Sequence, residues 1–292
     1  MNSEISLVIF TCEGREHLLR KTWASFQKAC DFKFDQVILA VDGVIDHSVM
    51  EIINPDLVIY GYQRKGYVTS IKNTLVHISS AFFFWLEDDW AFYIRINLPY
   101  YQNLLIQHPD WAEIVYSKYG PLTADFKKET LYENLYLNVN GYSTNPGLNR
   151  TAIILEGFKA MEQAEKMNGT EEVGFENFLT AYFAGLSRQV VLIDPVDHTA
   201  IAHEGYLEST PRNWHMISSL EKKTEKHLLI FPEPSFPRRL YMILKLFRAF
   251  IGLAIRQLRN NEVYELCFRI IAIAITTQQH ERKTNGTDPS DR

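Results

Sequence analysis

The sequence predicts an α/β fold in which a mostly parallel sheet carries helices on both faces. Three observations lead there. Short runs are apolar at nearly every position rather than at alternate ones: Ile5–Phe10, Val37–Val41, Leu57–Tyr60 and Ala81–Leu86. Strands buried on both faces read this way, and both faces are buried when crossover helices cover them. Between the runs, Leu18, Leu19, Trp23 and Phe26, and later Val68, Ile71, Leu75 and Ile78, recur at helical spacing. Finally, polar residues end the runs: Cys12-Glu13-Gly14-Arg15, Asp42-Gly43 and Glu87-Asp88-Asp89. In such sheets ligands bind beyond the carboxyl ends of the strands.

Beyond residue 90 the alternation loosens. Residues 97–108 and 150–167 predict helices, Glu113–Tyr116 a strand, and the Tyr-, Asn- and Gly-rich stretch 131–150 strands and loops. A helix over 174–185 and a strand over 189–193 follow. The expected organisation is a domain over 1–208 in two halves, 1–95 and 96–208. A proline-bearing linker (209–237), a basic amphipathic helical extension (238–279) and a disordered tail (280–292) complete it.

Composition narrows the function. With 30 basic against 35 acidic side chains, no chain-wide cationic field points to nucleic acid. Cys12, Cys30 and Cys267 are too far apart for a CxxC pair, which argues against a disulfide scaffold or structural zinc site. The N-terminal residues lack the pattern of a signal peptide, so a cytoplasmic location is expected. Only Gly14 follows the first strand closely, whereas a dinucleotide-binding turn needs clustered glycines.

The chemistry is carried by the strand ends. Six apolar residues run directly into Glu87, Asp88 and Asp89. Adjacent carboxylates repel one another unless solvent or a cation offsets them, and oxygen ligands suit a hard divalent ion. An acidic turn capping a strand is the plain alternative.

The ordered series Ser6–Thr11 with Arg15, Val37–Gly43, Gly66 with Ser70 and Asn73, and Phe84–Asp89 resembles glycosyltransferases of the GT-A fold, a Rossmann-like architecture. It is most similar to the large inverting family 2, which uses nucleotide-diphosphate sugars. The resemblance spans about the first ninety residues. It implies a donor-binding set of Thr11, Glu13, Arg15, Asp42, Asn73, Asp88 and Arg150. It also implies a DxD-like metal element at Glu87-Asp88-Asp89, with Glu in place of the first Asp. Glu87, Asp89 and His203 would hold Mn2+ or Mg2+, with His198 as the competing histidine. Gly174–Phe178 resembles the acidic element that supplies the catalytic base, with Asn177 in place of its second acid. The base is then Glu176, or Glu172 or Glu171. Ser143–Arg150 resembles the loop between donor and acceptor halves, and equally reads as a Gly/Pro turn before a helix.

The resemblance implies transfer of a sugar to a hydroxyl of a glycan or lipid-linked acceptor, metal-dependent and with inversion. The rival expectation is a GT-A domain without turnover, serving as a nucleotide-sugar- or glycan-binding or assembly module. Glu87 and Asn177 keep it open.

Between Phe236 and Asn260 six basic residues occur with no acidic one. Five of them fall within about 80° of a helical wheel, opposite a face of Leu, Ile and Phe. This predicts a helix at the inner face of a membrane, with a helical hairpin packed on protein as the alternative.

Overall fold

The computed structural model describes residues 5–118, 120–168 and 174–204, and positions 244, 247, 248 and 251. The chain divides into two units, Met1–Lys222 and Lys223–Arg292. The linker and tail expected over 209–237 and 280–292, and nearly all of the extension over 238–279, lie outside the described residues.

The first half alternates as its apolar runs require. β1 (Ile5–Cys12), β2 (Gln36–Asp42), β3 (Leu57–Tyr60) and β4 (Phe82–Glu87) are connected through α1 (Glu16–Ala29), α2 (His47–Ile53) and α3 (Tyr67–Leu75). All pair in parallel, in the spatial order β3-β2-β1-β4. β5 (Trp90–Phe92) leaves the sheet immediately after the acidic triplet. The second half contains α4 (Leu98–Gln107), β6 (Trp111–Tyr116), β7 (Thr130–Tyr132), β8 (Leu135–Leu137) and β9 (Gly147–Arg150). Then come α5 (Thr151–Asn168), α6 (Phe175–Gly185), β10 (Gln189–Ile193) and β11 (Ile201–His203). The sheet continues β4-β9-β6-β10-β8-β7, and β5 pairs with β11 in a separate antiparallel ribbon.

Alternation along the strands divides the core into two layers. Ile5, Leu7, Ile9, Leu39, Phe84 and Leu86 pack with Leu19, Trp23 and Phe26 of α1. Val8, Phe10, Ile38, Phe83 and Trp85 pack on the other face with Ile71 and Leu75 of α3, Phe158 and Met161 of α5, and Leu179 and Phe183 of α6. Each such side chain contributes about 1.5–3 kcal/mol on burial, which explains why the strands leave no polar face.

β9 is the departure from a parallel sheet. It runs antiparallel between β4 and β6, with Gly147 opposite Trp85 and Arg150 opposite Phe82. A side chain at Gly147 would meet the Ile114 carbonyl at 2.5 Å and Val115 Cα at 2.8 Å. Only glycine lets the strand enter there.

Asp194, past the end of β10, fixes the segment after β6. Its carboxylate accepts from the amides of Leu122 at 2.9 Å and Val196 at 3.1 Å and pairs with Lys127. Burial alone would raise its pKa, but Lys127 and the two amides outweigh it, and the net shift is downward. A lowered folded-state pKa gives stability that is present above the ordinary carboxylate range and is lost as pH falls through the folded value. Asp194→Asn should cost about 1–3 kcal/mol near neutral pH. The gap to the native protein should close as urea denaturation is repeated at successively lower pH below about 4.

Candidate active site at the carboxyl ends of the strands

β1 lies between β2 and β4, with Cys12 opposite Asp42 and Phe10 opposite Glu87. The ends of all three strands therefore adjoin. Asp88 and Asp89 are buried, each 4% exposed. Buried carboxylates need donors or cations, and the neighbouring elements supply them. The Thr11 hydroxyl donates to Asp88 at 2.6 Å. Arg15, at the start of α1, pairs with Asp88 at 3.0 Å and donates to Asp89. Tyr67, the first residue of α3, donates to Glu87, and the Trp90 ring N–H lies 3.4 Å from the other Glu87 oxygen. Thr22 of α1 accepts the Trp90 amide at 2.9 Å and pins the turn that follows the triplet.

The β5–β11 ribbon brings the histidine. His203 pairs with Trp90 across it, and the Glu204 amide donates to the Asp89 carbonyl at 2.8 Å. His203 Nε2 then lies 3.0 Å from the Asp89 carboxylate, with its ring against Trp90. His198 is exposed and does not join this cluster.

The charges sort themselves accordingly. Burial and the charge of Asp89 push Glu87 up to about 7, and the same two causes push Asp88 up to about 8 despite Arg15. Burial opposes ionisation of Asp89 too, but His203 and Arg15 prevail and its pKa is lowered. Burial would lower the pKa of His203, but its bond to Asp89 raises it overall. Burial would likewise lower Arg15, and the two aspartates overcome it.

One ligand atom each from Glu87, Asp89 and His203 lies within 4.8 Å of the others. Asp89 Oδ1 is buried with no hydrogen-bond partner among the described residues. Two carboxylates and an imidazole, with that oxygen uncommitted, form a donor set that fits Mn2+ or Mg2+.

Glu176 is the second residue of α6. Its Oε1 accepts from the Thr144 amide at 2.8 Å and the Thr144 hydroxyl at 3.1 Å. Glu176 and Tyr142 line one cavity, and the charge of Glu176 adds slightly to the upward shift that burial gives Glu87, Tyr67 and Tyr142. Glu171 and Glu172 lie outside the described residues.

The other candidate residues are spread over the fold. Arg150 is at the opposite end of β4 from Glu87, where it donates to the carbonyls of Leu105, His108 and Trp111 and stacks on Phe82. It caps α4, because β9 is a strand and carries it to the foot of the sheet. Asn73 is exposed two turns into α3, roughly 10 Å along the helix from Gly66. Arg15 and Thr11 both bind Asp88 inside the fold. The Asp42 carboxylate accepts from the amides of Lys65 at 2.7 Å and Gly66 at 3.1 Å, which shapes the entry to α3. Glu13 is exposed and holds the Val44 amide at 3.3 Å.

The sequence reading missed Tyr67 and Glu113. Glu113 is fully buried in β6, accepts from the Ser143 amide at 3.0 Å, and has its pKa pushed well up by burial. A lone acid inside Trp111–Tyr116 was its signal. Tyr67, following a glycine, had none.

No family model matches the chain, and no curated protein does. Among solved structures, S. aureus TarS aligns with a TM-score of 0.50 and 14% identity, over 75% of this chain and 39% of that one. GalNAc-T7 with UDP, GalNAc and Mn2+ aligns at 0.49 and 11% identity, over 68% and 42%. The mannosyltransferase PcManGT from Pyrobaculum calidifontis with GDP-Man and Mn2+ aligns at 0.47 and 13%, over 75% and 63%. The TarS likeness shows a shared fold, the GT-A architecture expected above. This chain spans about two fifths of that protein's length.

Removing the internal cation should be costly. Arg15→Gln leaves Asp88 and Asp89 buried without it and should destabilise the protein by about 3–5 kcal/mol in metal-free denaturant titrations.

Proposed function

We propose that the chain is a glycosyltransferase that moves a sugar from a nucleotide-diphosphate donor to an acceptor hydroxyl, with a divalent metal and inversion at the anomeric carbon. One observation carries this reading. Ligand atoms of Glu87, Asp89 and His203 converge within 4.8 Å at the carboxyl end of β4.

In this reading Glu87, Asp89 and His203 hold Mn2+ or Mg2+. Such an ion, when bound, would supply Lewis-acid charge neutralisation for a leaving diphosphate. Arg15, Thr11 and Asp88 hold the ligands in place from behind, as hydrogen-bonded neighbours of metal ligands do. Tyr67 orients Glu87 through their hydrogen bond. Thr144 fixes one oxygen of Glu176, and the other takes the proton of the attacking hydroxyl. A positioned base of this kind contributes on the order of 10²–10⁴ in rate. A single displacement at the anomeric carbon inverts its configuration. Asp42 and Glu13, at the ends of β2 and β1, border the place where the nucleoside would sit.

The rival, a binding or assembly module without turnover, draws on Arg15. Asp89 already has two cationic partners, so the cluster is partly balanced before any metal arrives. One assay separates the two: metal-dependent turnover of UDP-, GDP- and dTDP-sugars. For the enzyme, Asp89→Ala should abolish metal-dependent donor binding. Glu176→Gln should retain donor binding and lose transfer by roughly 10²–10⁴-fold. No turnover, with nucleotide binding indifferent to Asp89→Ala, would favour the module; a fully active Glu176→Gln would remove the base assignment.

We also read 238–275 as a membrane-surface segment. Leu244, Phe247 and Ile251 are helical positions at 59%, 52% and 43% exposure, within about 60° of one another, with Arg248 flanking them. No helix among the described residues is long and apolar enough to cross a membrane. The intact chain should co-sediment with anionic vesicles and much less with neutral ones. Phe247→Glu should release it, and equal sedimentation of the variant would count against the segment.

A further inference from the structure

A cavity of about 180 Å³ opens between the segment after β6, the β8–β9 loop and the first turns of α6. Glu176 is in its wall, with Lys118, Phe126, Asn140, Asn145 and Asn177. It lies past strands β6, β10 and β8, on the other side of β9 from β1 and β2. A nucleoside at the ends of β1 and β2 would therefore approach the base from one side and the cavity's occupant from the other.

Four of the twelve described lining residues are asparagines. Each offers two donors and an acceptor, which suits hydroxyls that both give and take hydrogen bonds. Asn140 and Asn177 are exposed and their side chains make no hydrogen bond among the described residues. The Asn145 amide nitrogen donates to the Tyr116 carbonyl at 3.3 Å, which leaves its oxygen as an acceptor. Phe126 adds one apolar surface for the C–H face of a ring. Among the described residues the wall carries one carboxylate and one ammonium, which balance, and Glu176 opposes an anion directly at the base. The volume is below the roughly 300–1,000 Å³ of pockets that enclose drug-sized ligands, and it suits a single ring.

We propose that this cavity seats one uncharged pyranose of the acceptor, held by the side chains of Asn140, Asn145 and Asn177 with its hydroxyl toward Glu176. The acceptor class is then a neutral glycan end, as opposed to a phosphorylated lipid headgroup or an acidic sugar. The assignment rests on the glycosyltransferase reading for the role of Glu176 but not for the binding itself.

Saturation-transfer NMR on the intact chain tests binding without any donor. Neutral methyl hexopyranosides should receive saturation, while methyl hexuronides and hexose phosphates should receive markedly less. Asn140→Ala and Asn177→Ala, both at exposed side chains, should each weaken binding by about three- to tenfold, and should raise the acceptor KM similarly with kcat little changed. Equal or stronger binding of the anionic sugars would overturn the assignment, as would variants that bind like the native chain. Saturation transfer without turnover of any nucleotide sugar would keep the sugar site and remove the enzyme reading. Turnover without saturation transfer would keep the enzyme and overturn the cavity assignment.

Discussion

The structure around the site is organised by one constraint: a strand in the middle of a sheet ends in three consecutive carboxyl groups, two of them almost wholly out of water. Coulomb repulsion and lost hydration both act against that arrangement. The surrounding elements answer it from different directions. β1 contributes a hydroxyl, α1 a guanidinium and a second hydroxyl that pins the turn, α3 a phenol, and the β5–β11 ribbon an imidazole. Ionisation concentrates on Asp89, while Glu87 and Asp88 are pushed toward their neutral forms. The same arrangement explains why the triplet's two flanking members face different partners.

Much of this fold was legible because burial on both faces leaves few polar positions in the first four strands. The runs at Ile5–Phe10, Val37–Val41, Leu57–Tyr60 and Ala81–Leu86 announced β1 to β4, and the amphipathic stretches between them announced α1 and α3. What escaped was short or polar. α2 spans only His47–Ile53, and its cap, Asp46 accepting from the Ser48 amide, looks like an ordinary turn. β5 and β11 have three residues each and no period that long-range pairing does not supply. β9, Gly147–Arg150, carries Asn149 into the interior at 1% exposure, against every hydropathy rule. Its pairing partners, not its own residues, make it a strand.

The site divides in the same way. The acidic triplet stood out because a long apolar run met it abruptly. The direction of each side chain did not, since a turn of one residue sends Asp88 toward Thr11 and Asp89 toward His203. Arg15 stood out only as part of a donor-binding set, and its pairing with two buried aspartates had no signal in the sequence. Arg150 looked like a loop residue until β9 carried it to the foot of the sheet. His203 could not be chosen over His198 without the ribbon register that sets it opposite Trp90.

The reversed strand has a geometric consequence for the chain that follows it. β9 enters beside Trp85 and exits beside Phe82, so α5 starts at the far edge of the sheet, where the Thr151 amide meets the Ala81 carbonyl at 3.1 Å. Its 18 residues rise about 27 Å, enough to climb the height of a six-residue strand and return the backbone to the crevice. The helix acts as a ruler for where α6 begins. One inserted residue would both lengthen it and swing everything downstream through about 100°, so tolerance to insertions should fall off sharply between the surface loops of this half and its longest helix.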